Sequence, residues 1–195
     1  MSIFIFFMAL MVSCAPLSPT LSPVPQPSGP SEPEVIQVVV KPIVTKGFGS
    51  EDERKWGVDL SAYFTAFELR VRNRTSQEIF FNPSLARLMD EKNESRSPLN
   101  EEESLNHYQT ANGNPIITLV PKSRERVEEE TRKIKEARLS SGAIAPGGQK
   151  EGILLFEKIS PTRCGTVILE LNGITVVESG EVKKFSFPFI CDEKN

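Results

Sequence analysis

The chain has 195 residues, of which 38% are hydrophobic and 25% charged, and its formal net charge is −3. That length suits one domain with appendages. The slight acidic excess speaks against a dedicated nucleic-acid binder, which carries a strong basic surplus.

Residues 3–12, "IFIFFMALMV", form an apolar run of about ten residues, half of the roughly twenty that a bilayer-spanning helix needs. The length fits the apolar region of a signal peptide over residues 1–13. Met11, Val12 and Ser13 precede Cys14, and this tetrapeptide resembles the lipobox of bacterial lipoproteins. There an aliphatic, a variable and a small residue stand before an obligatory cysteine. Met11 occupies the place where leucine is commonest, and "MSIF" holds no Lys or Arg, so the terminal amine alone supplies positive charge. A secreted protein cut near Ala15 and a buried apolar N-terminal strand are the competing readings; the lipobox is preferred. The resemblance implies diacylglycerol on the Cys14 thiol and three acyl chains on the mature protein. Each buried methylene contributes about 0.8 kcal/mol, and a single myristoyl chain binds only marginally, so three chains would anchor permanently. The implied address is the bacterial cell envelope. Ala15 in place of aspartate favours the outer membrane, facing the periplasm or the cell exterior.

Seven of the fifteen prolines lie between Pro16 and Pro33. Residues 14–34 are therefore read as a lipidated cysteine followed by a Pro/Ser-rich tether. Such a segment has too little to bury to offset the entropy of ordering.

The body is expected over residues 35–195, where periodicity is mostly two, the strand signal. "EVIQVVVKPIVT" is rich in β-branched residues, and Pro42 marks an edge or a break. In "YFTAFELRVRN", Phe67, Leu69 and Val71 face one way and Glu68, Arg70 and Arg72 the other. "EIFFNP", "SLARLMD", "PIITLV", "EGILLFEKI", "TVILEL" and "VKKFSFPF" follow as further short strands. Short strands separated by turn signals predict an all-β fold, an immunoglobulin-like antiparallel β-sandwich. Two stretches interrupt the pattern. Residues 91–114 are polar and read as a long loop. Residues 122–139, "KSRERVEEETRKIKEARL", predict one inserted charged surface helix, with Ser123 as its cap and Gly142 beyond its end. Glu128 with Arg132, and Glu129 with Lys133, have the favourable i,i+4 order. Val127, Ile134, Ala137 and Leu139 supply a narrow apolar stripe.

The segments "FELRVRNRTSQEIFFNP", "SLARLMDEKNE" and "IAPGGQKEGILLFEKI" resemble the telokin-like, immunoglobulin-fold domain found in many bacterial lipoproteins and secreted antigens. The likeness spans roughly residues 60–190. It rests on an Asn-centred turn, a short strand before a polar loop, and Pro146-Gly147-Gly148 preceding Gly152-x-Leu154-x-Phe156. The resemblance implies an extracytoplasmic sandwich and brings no catalytic residues with it.

Chemistry-bearing residues are sparse. His107 is the single histidine, so a Ser-His-Asp, Cys-His or familiar zinc site would have to rely on it alone; it reads as an exposed loop residue. Glu101, Glu102 and Glu103 are consecutive rather than spaced as a calcium loop requires. No cofactor and no metal site is expected. The sequons at Asn73 and Asn93 carry no information in a bacterial lipoprotein. Cys164 and Cys191 are a candidate disulfide, since the envelope is oxidising. If residues 166–171 pair directly with 182–189, the two cysteines face each other across a long hairpin. A bridge there closes a loop of about 27 residues for roughly 3 kcal/mol. If Asn172-Gly173 makes a tight turn instead, they lie at opposite ends of a three-strand meander. The hairpin is favoured.

The expectation is a non-enzymatic, lipid-anchored interaction module, held to the membrane by its acyl chains and binding an envelope protein or glycan. The alternative is a metal-handling or catalytic envelope protein using the polar stretch from Glu101 to His107.

Overall fold

A strand with one apolar face needs one cover, and a strand with two needs a cover on each side. The computed structural model, which describes residues 20–24, 36–44, 51–112, 122–159 and 165–192, shows both cases. The elements in chain order are β1 (Thr20–Pro23), β2 (Ile36–Ile43), α1 (Glu51–Trp56), α2 (Leu60–Tyr63), β3 (Phe64–Asn73) and β4 (Ile79–Phe81). A 3₁₀ turn (Pro83–Leu85) leads to β5 (Arg87–Met89), β6 (Ser95–Arg96), α3 (Glu101–Asn112), α4 (Arg124–Ala137), β7 (Gly142–Ile144), β8 (Gln149–Glu157), β9 (Thr166–Val176) and β10 (Val182–Asp192).

Two antiparallel sheets form the expected sandwich. One has the order β1-β10-β9-β4-β7, with β5 also on β9 and β6 on β5; the other is β2-β3-β8. Phe67, Leu69 and Val71 of β3, with Leu154 and Phe156 of β8, meet Val167, Leu169 and Leu171 of β9 and Phe189 of β10. The Phe67 ring lies 5.1 Å from Phe189 and 6.0 Å from Phe156, centroid to centroid. The alternation read in β3 therefore points the predicted residues into the core.

The other face of the small sheet is covered as well. Phe64 and Ala66 of β3 and Ile153 and Leu155 of β8 are buried beneath Leu60, Tyr63, Tyr108, Ala111 and Ile134 of the helices. This makes a third, helical layer. It explains why "GILLF" in β8 is a continuous apolar run: the strand is buried on both faces. The outer edge of β8 is closed too, because Leu139 N donates to Ile153 O at 3.1 Å and Leu99 N to Leu155 O at 2.8 Å. Capping an edge in this way removes a template for aggregation.

Three expectations are corrected. Residues 91–114 are not one long loop: β6 and the twelve-residue α3 lie within them. The inserted helix is not alone, since α1, α2 and α3 join α4 in the third layer. The stretch expected as tether contributes β1, which extends the large sheet along β10 and buries Leu21. The segment lies along β10 by backbone pairing, with Thr20 opposite Asp192 and Pro23 opposite Phe189, and by burial of Leu21. Of the two C-terminal pairings, the favoured hairpin is the one observed: Asn172-Gly173 does not turn. β9 runs straight through it, and the β9–β10 hairpin turns beyond Val176. "SLARLMD" divides into the 3₁₀ turn and β5 because Asn82 Oδ1 accepts from Ser84 N at 3.1 Å and starts the turn. The strand expected at "PIITLV" lies outside the described residues.

The Asn-centred turn and the Pro-Gly turn are brought together. Asn73 is fully buried. Its Nδ2 donates to Gln77 O at 2.7 Å and Ile144 O at 2.9 Å, and its Oδ1 accepts from Thr75 N at 3.0 Å and Thr75 Oγ1 at 2.7 Å. Its backbone exchanges bonds with Gly147 and Gly148. Asn73→Ala is expected to lower stability by about 2 kcal/mol, because buried carbonyls lose their donor. Urea unfolding checks this, and a midpoint equal to the parent's contradicts it.

Candidate functional site

The helical layer holds the described chemistry. α3 starts with a reciprocal cap: Glu103 N donates to Asn100 Oδ1 at 2.9 Å, and Asn100 N to Glu103 Oε2 at 2.7 Å. That is a capping box, with Asn in the place of Ser or Thr. Glu101 and Glu102 share the first turn, where the helix dipole favours negative charge. The signal was present in "PLNEEES" and outweighs the polar composition that suggested a loop. α4 begins at Ser123, whose Oγ accepts from Arg126 N at 3.3 Å. Glu129 pairs with Lys133 at 2.6 Å as expected; Glu128 pairs instead with Arg124 at 2.8 Å, and Arg132 with Glu136 at 2.8 Å.

Between the two helices stands Glu130, whose side chain is 1% exposed. It accepts from the Tyr108 hydroxyl, from Lys122 Nζ at 2.5 Å and from Arg126 Nε at 2.5 Å. Burial pushes the Glu130 carboxyl up, but the bonds from Lys122, Tyr108 and Arg126 outweigh burial and hold it below the usual glutamate value. Burial, then the bond to Glu130, raises the Tyr108 hydroxyl well above its ordinary value of 10.0. The Lys122 ammonium also lies 5.2 Å from the Tyr63 ring and 5.6 Å from the Tyr108 ring. The arrangement is a polar clamp of α3 to α4. Sequence periodicity placed Glu130 among solvated charges and could not single it out.

His107 is not an exposed loop residue. It lies half-buried on α3 and its Nε2 donates to Tyr63 O at 3.0 Å, which fixes the tautomer. Phe64 lies 5.2 Å from its ring. Glu101, the first residue of the proposed polar site, pairs with Lys135 of α4 at 2.7 Å. Glu103 is spent on the cap and His107 on docking α3 to α2, so the structure does not bring them to a common point.

A cleft of about 380 Å³ opens where the end of α1 meets α4, lined by Arg54, Lys55, Trp56, Gly57, Lys133 and Glu136, with Ala137. Gly57 has φ +68°, and a Cβ there would stand 2.8 Å from Lys133 Cδ, so glycine lets the lysine lie across the turn. Lys55 Nζ sits 4.7 Å from the centre of the Trp56 ring and is held by Glu68 at 2.7 Å and Glu151 at 3.1 Å. Among the described residues Arg54 has no ion partner, and the Trp56 indole N–H, shielded from water, has no acceptor.

Cys14 lies outside the described residues, as does Cys164. Cys191 is disulfide-bonded and its N donates to Gly165 O at 2.9 Å, at the base of the β9–β10 hairpin. Intact-mass and thiol-trapping measurements are expected to show Cys164 and Cys191 unreactive until reductant is added. Trapping both in the oxidised, folded protein would exclude the bridge between them.

Searches against protein families, curated proteins and solved structures returned no match.

Proposed function

We propose that the protein is a lipid-anchored component of a bacterial cell envelope whose sandwich body serves as a non-catalytic binding module for an envelope protein or glycan. The observation that carries the reading is Met11-Val12-Ser13-Cys14 at the end of a short apolar run, ahead of a proline-rich stretch. Among the described residues no helix is long and apolar enough to cross a membrane, so attachment would rest on acyl chains at Cys14. The strand order adds support for an immunoglobulin-like domain. β2-β3-β8 facing β4-β9-β10 follows the A-B-E and C-F-G order of that sandwich. A three-layer body suits recognition, and its cation-lined cleft offers a place for it.

Labelling cells with radioactive palmitate is expected to mark the parent protein and leave Cys14→Ser unlabelled and free of the membrane fraction. Label persisting in the variant would refute attachment there.

A further inference from the structure

The cleft between α1 and α4 combines features that together select a class of ligand. Three cations, Arg54, Lys55 and Lys133, line it against one carboxylate, Glu136. Two of those cations are positioned by neighbours: Lys55 by Glu68 and Glu151, Lys133 by Glu129. Arg54 is uncommitted among the described residues, and a guanidinium fork matches carboxylate and phosphate oxygens bidentately. Glu136, paired with Arg132 at 2.8 Å, keeps lone pairs that a ligand hydroxyl would use and a bare inorganic anion would not. Trp56 adds an aromatic wall, one side of which Lys55 Nζ already covers at 4.7 Å from the ring centre. The volume, about 380 Å³, lies near the small end of ligand sites, roughly 300–1,000 Å³.

We propose that this cleft binds a small hydroxylated organic anion, namely a sugar bearing a carboxylate or phosphate group. Arg54 and Lys133 would hold the charged group, Glu136 a hydroxyl, and Trp56 the ring. The inference deepens the binding-module reading and rests on it. The other notable notch, walled by Pro23, Val40, Phe187 and Phe189, is apolar and names no ligand.

Trp56 is the only tryptophan of the chain, so intrinsic fluorescence of the full-length protein in detergent reports directly on the cleft. Four probes are titrated: glucuronate, glucose 6-phosphate, inorganic phosphate and glucose. A saturable change is expected with at least one of the first two, and affinity about tenfold weaker or worse for glucose, which loses a charge-assisted bond. The two charged sugars distinguish a carboxylate from a phosphate preference. Arg54→Ala and Lys133→Met are each expected to weaken the response about tenfold, with the melting temperature of Arg54→Ala unchanged because that side chain is exposed. No saturable change with either charged sugar overturns the proposal. So does an unaltered response in Arg54→Ala, or inorganic phosphate binding as tightly as the sugar phosphate. The palmitate assay at Cys14 is independent of these titrations. Failure here with labelling intact removes the ligand site and leaves the anchored protein; the reverse result does the opposite.

Discussion

Gly173→Val is expected to cost about 3 kcal/mol or more and to leave much of the protein unfolded or aggregated, the overpacking penalty of a site with no room to relax. A Cβ at position 173 would stand 2.0 Å from Asn82 O, 3.0 Å from Asn82 C and 3.3 Å from Leu85 Cβ. The obstacle is backbone, not the end of a flexible side chain. It cannot withdraw easily, because Asn82 N donates to Gly173 O at 2.7 Å and Asn82 Oδ1 holds Ser84 N and Ser84 Oγ. Phe81, the residue before, is wholly buried. Alanine should be nearly as harmful, since the clash is with Cβ itself. Thr175→Val, two residues on and half-buried in the same strand, is the matched control and should be close to neutral. Denaturant midpoints for the three variants decide it; a stable Gly173→Ala protein would mean that β9 and the 82–85 segment do not approach as described.

Glu130→Ala is expected to cost about 3 kcal/mol, since breaking a buried ion pair strands its partners. The hydroxyl of Tyr108, a fully buried residue, would lose its acceptor, and Lys122, whose side chain is 24% exposed, would lose its counter-charge. The pH dependence separates this from loss of volume. The folded Glu130 carboxyl titrates below its ordinary value of 4.5. The unfolded chain therefore binds the proton first, so the stabilisation is fully present above about pH 4.5 and is lost as pH falls through the lower folded value. Tyr108 acts in the opposite limb: its raised value gives stability below pH 10.0 that declines as pH rises past it. Thermal unfolding between about pH 2 and 7 should show a shallower acid limb in Glu130→Gln than in the parent. Parallel acid limbs would show that the Glu130 carboxyl binds its proton equally well in the folded and unfolded chain.

Much of the sandwich was legible because it depends on period-two alternation. Phe67, Leu69 and Val71 announce a face whatever they pack against. The helix at residues 124–137 was legible from its cap and its charge order. α3 was not read, although Asn100 and Glu103 carried the signal, because polar Ser104 and Asn112 share its buried face with Tyr108 and Ala111. Asn172-Gly173 was ambiguous for a physical reason: glycine serves both a tight turn and a close backbone approach, and only the crossing of Asn82 distinguishes them.

The covalent chain by itself determined the candidate acylation cysteine, the strand faces and the scarcity of histidine and cysteine, since these follow from local residue order and side-chain chemistry. Tertiary structure decided which charges matter. Glu130 among several helix carboxylates is buried, Asn73 joins two distant turns, and Arg54, Lys133 and Trp56 converge on one cleft. Those outcomes depend on contacts between segments far apart in sequence, and no local pattern encodes the distance between them.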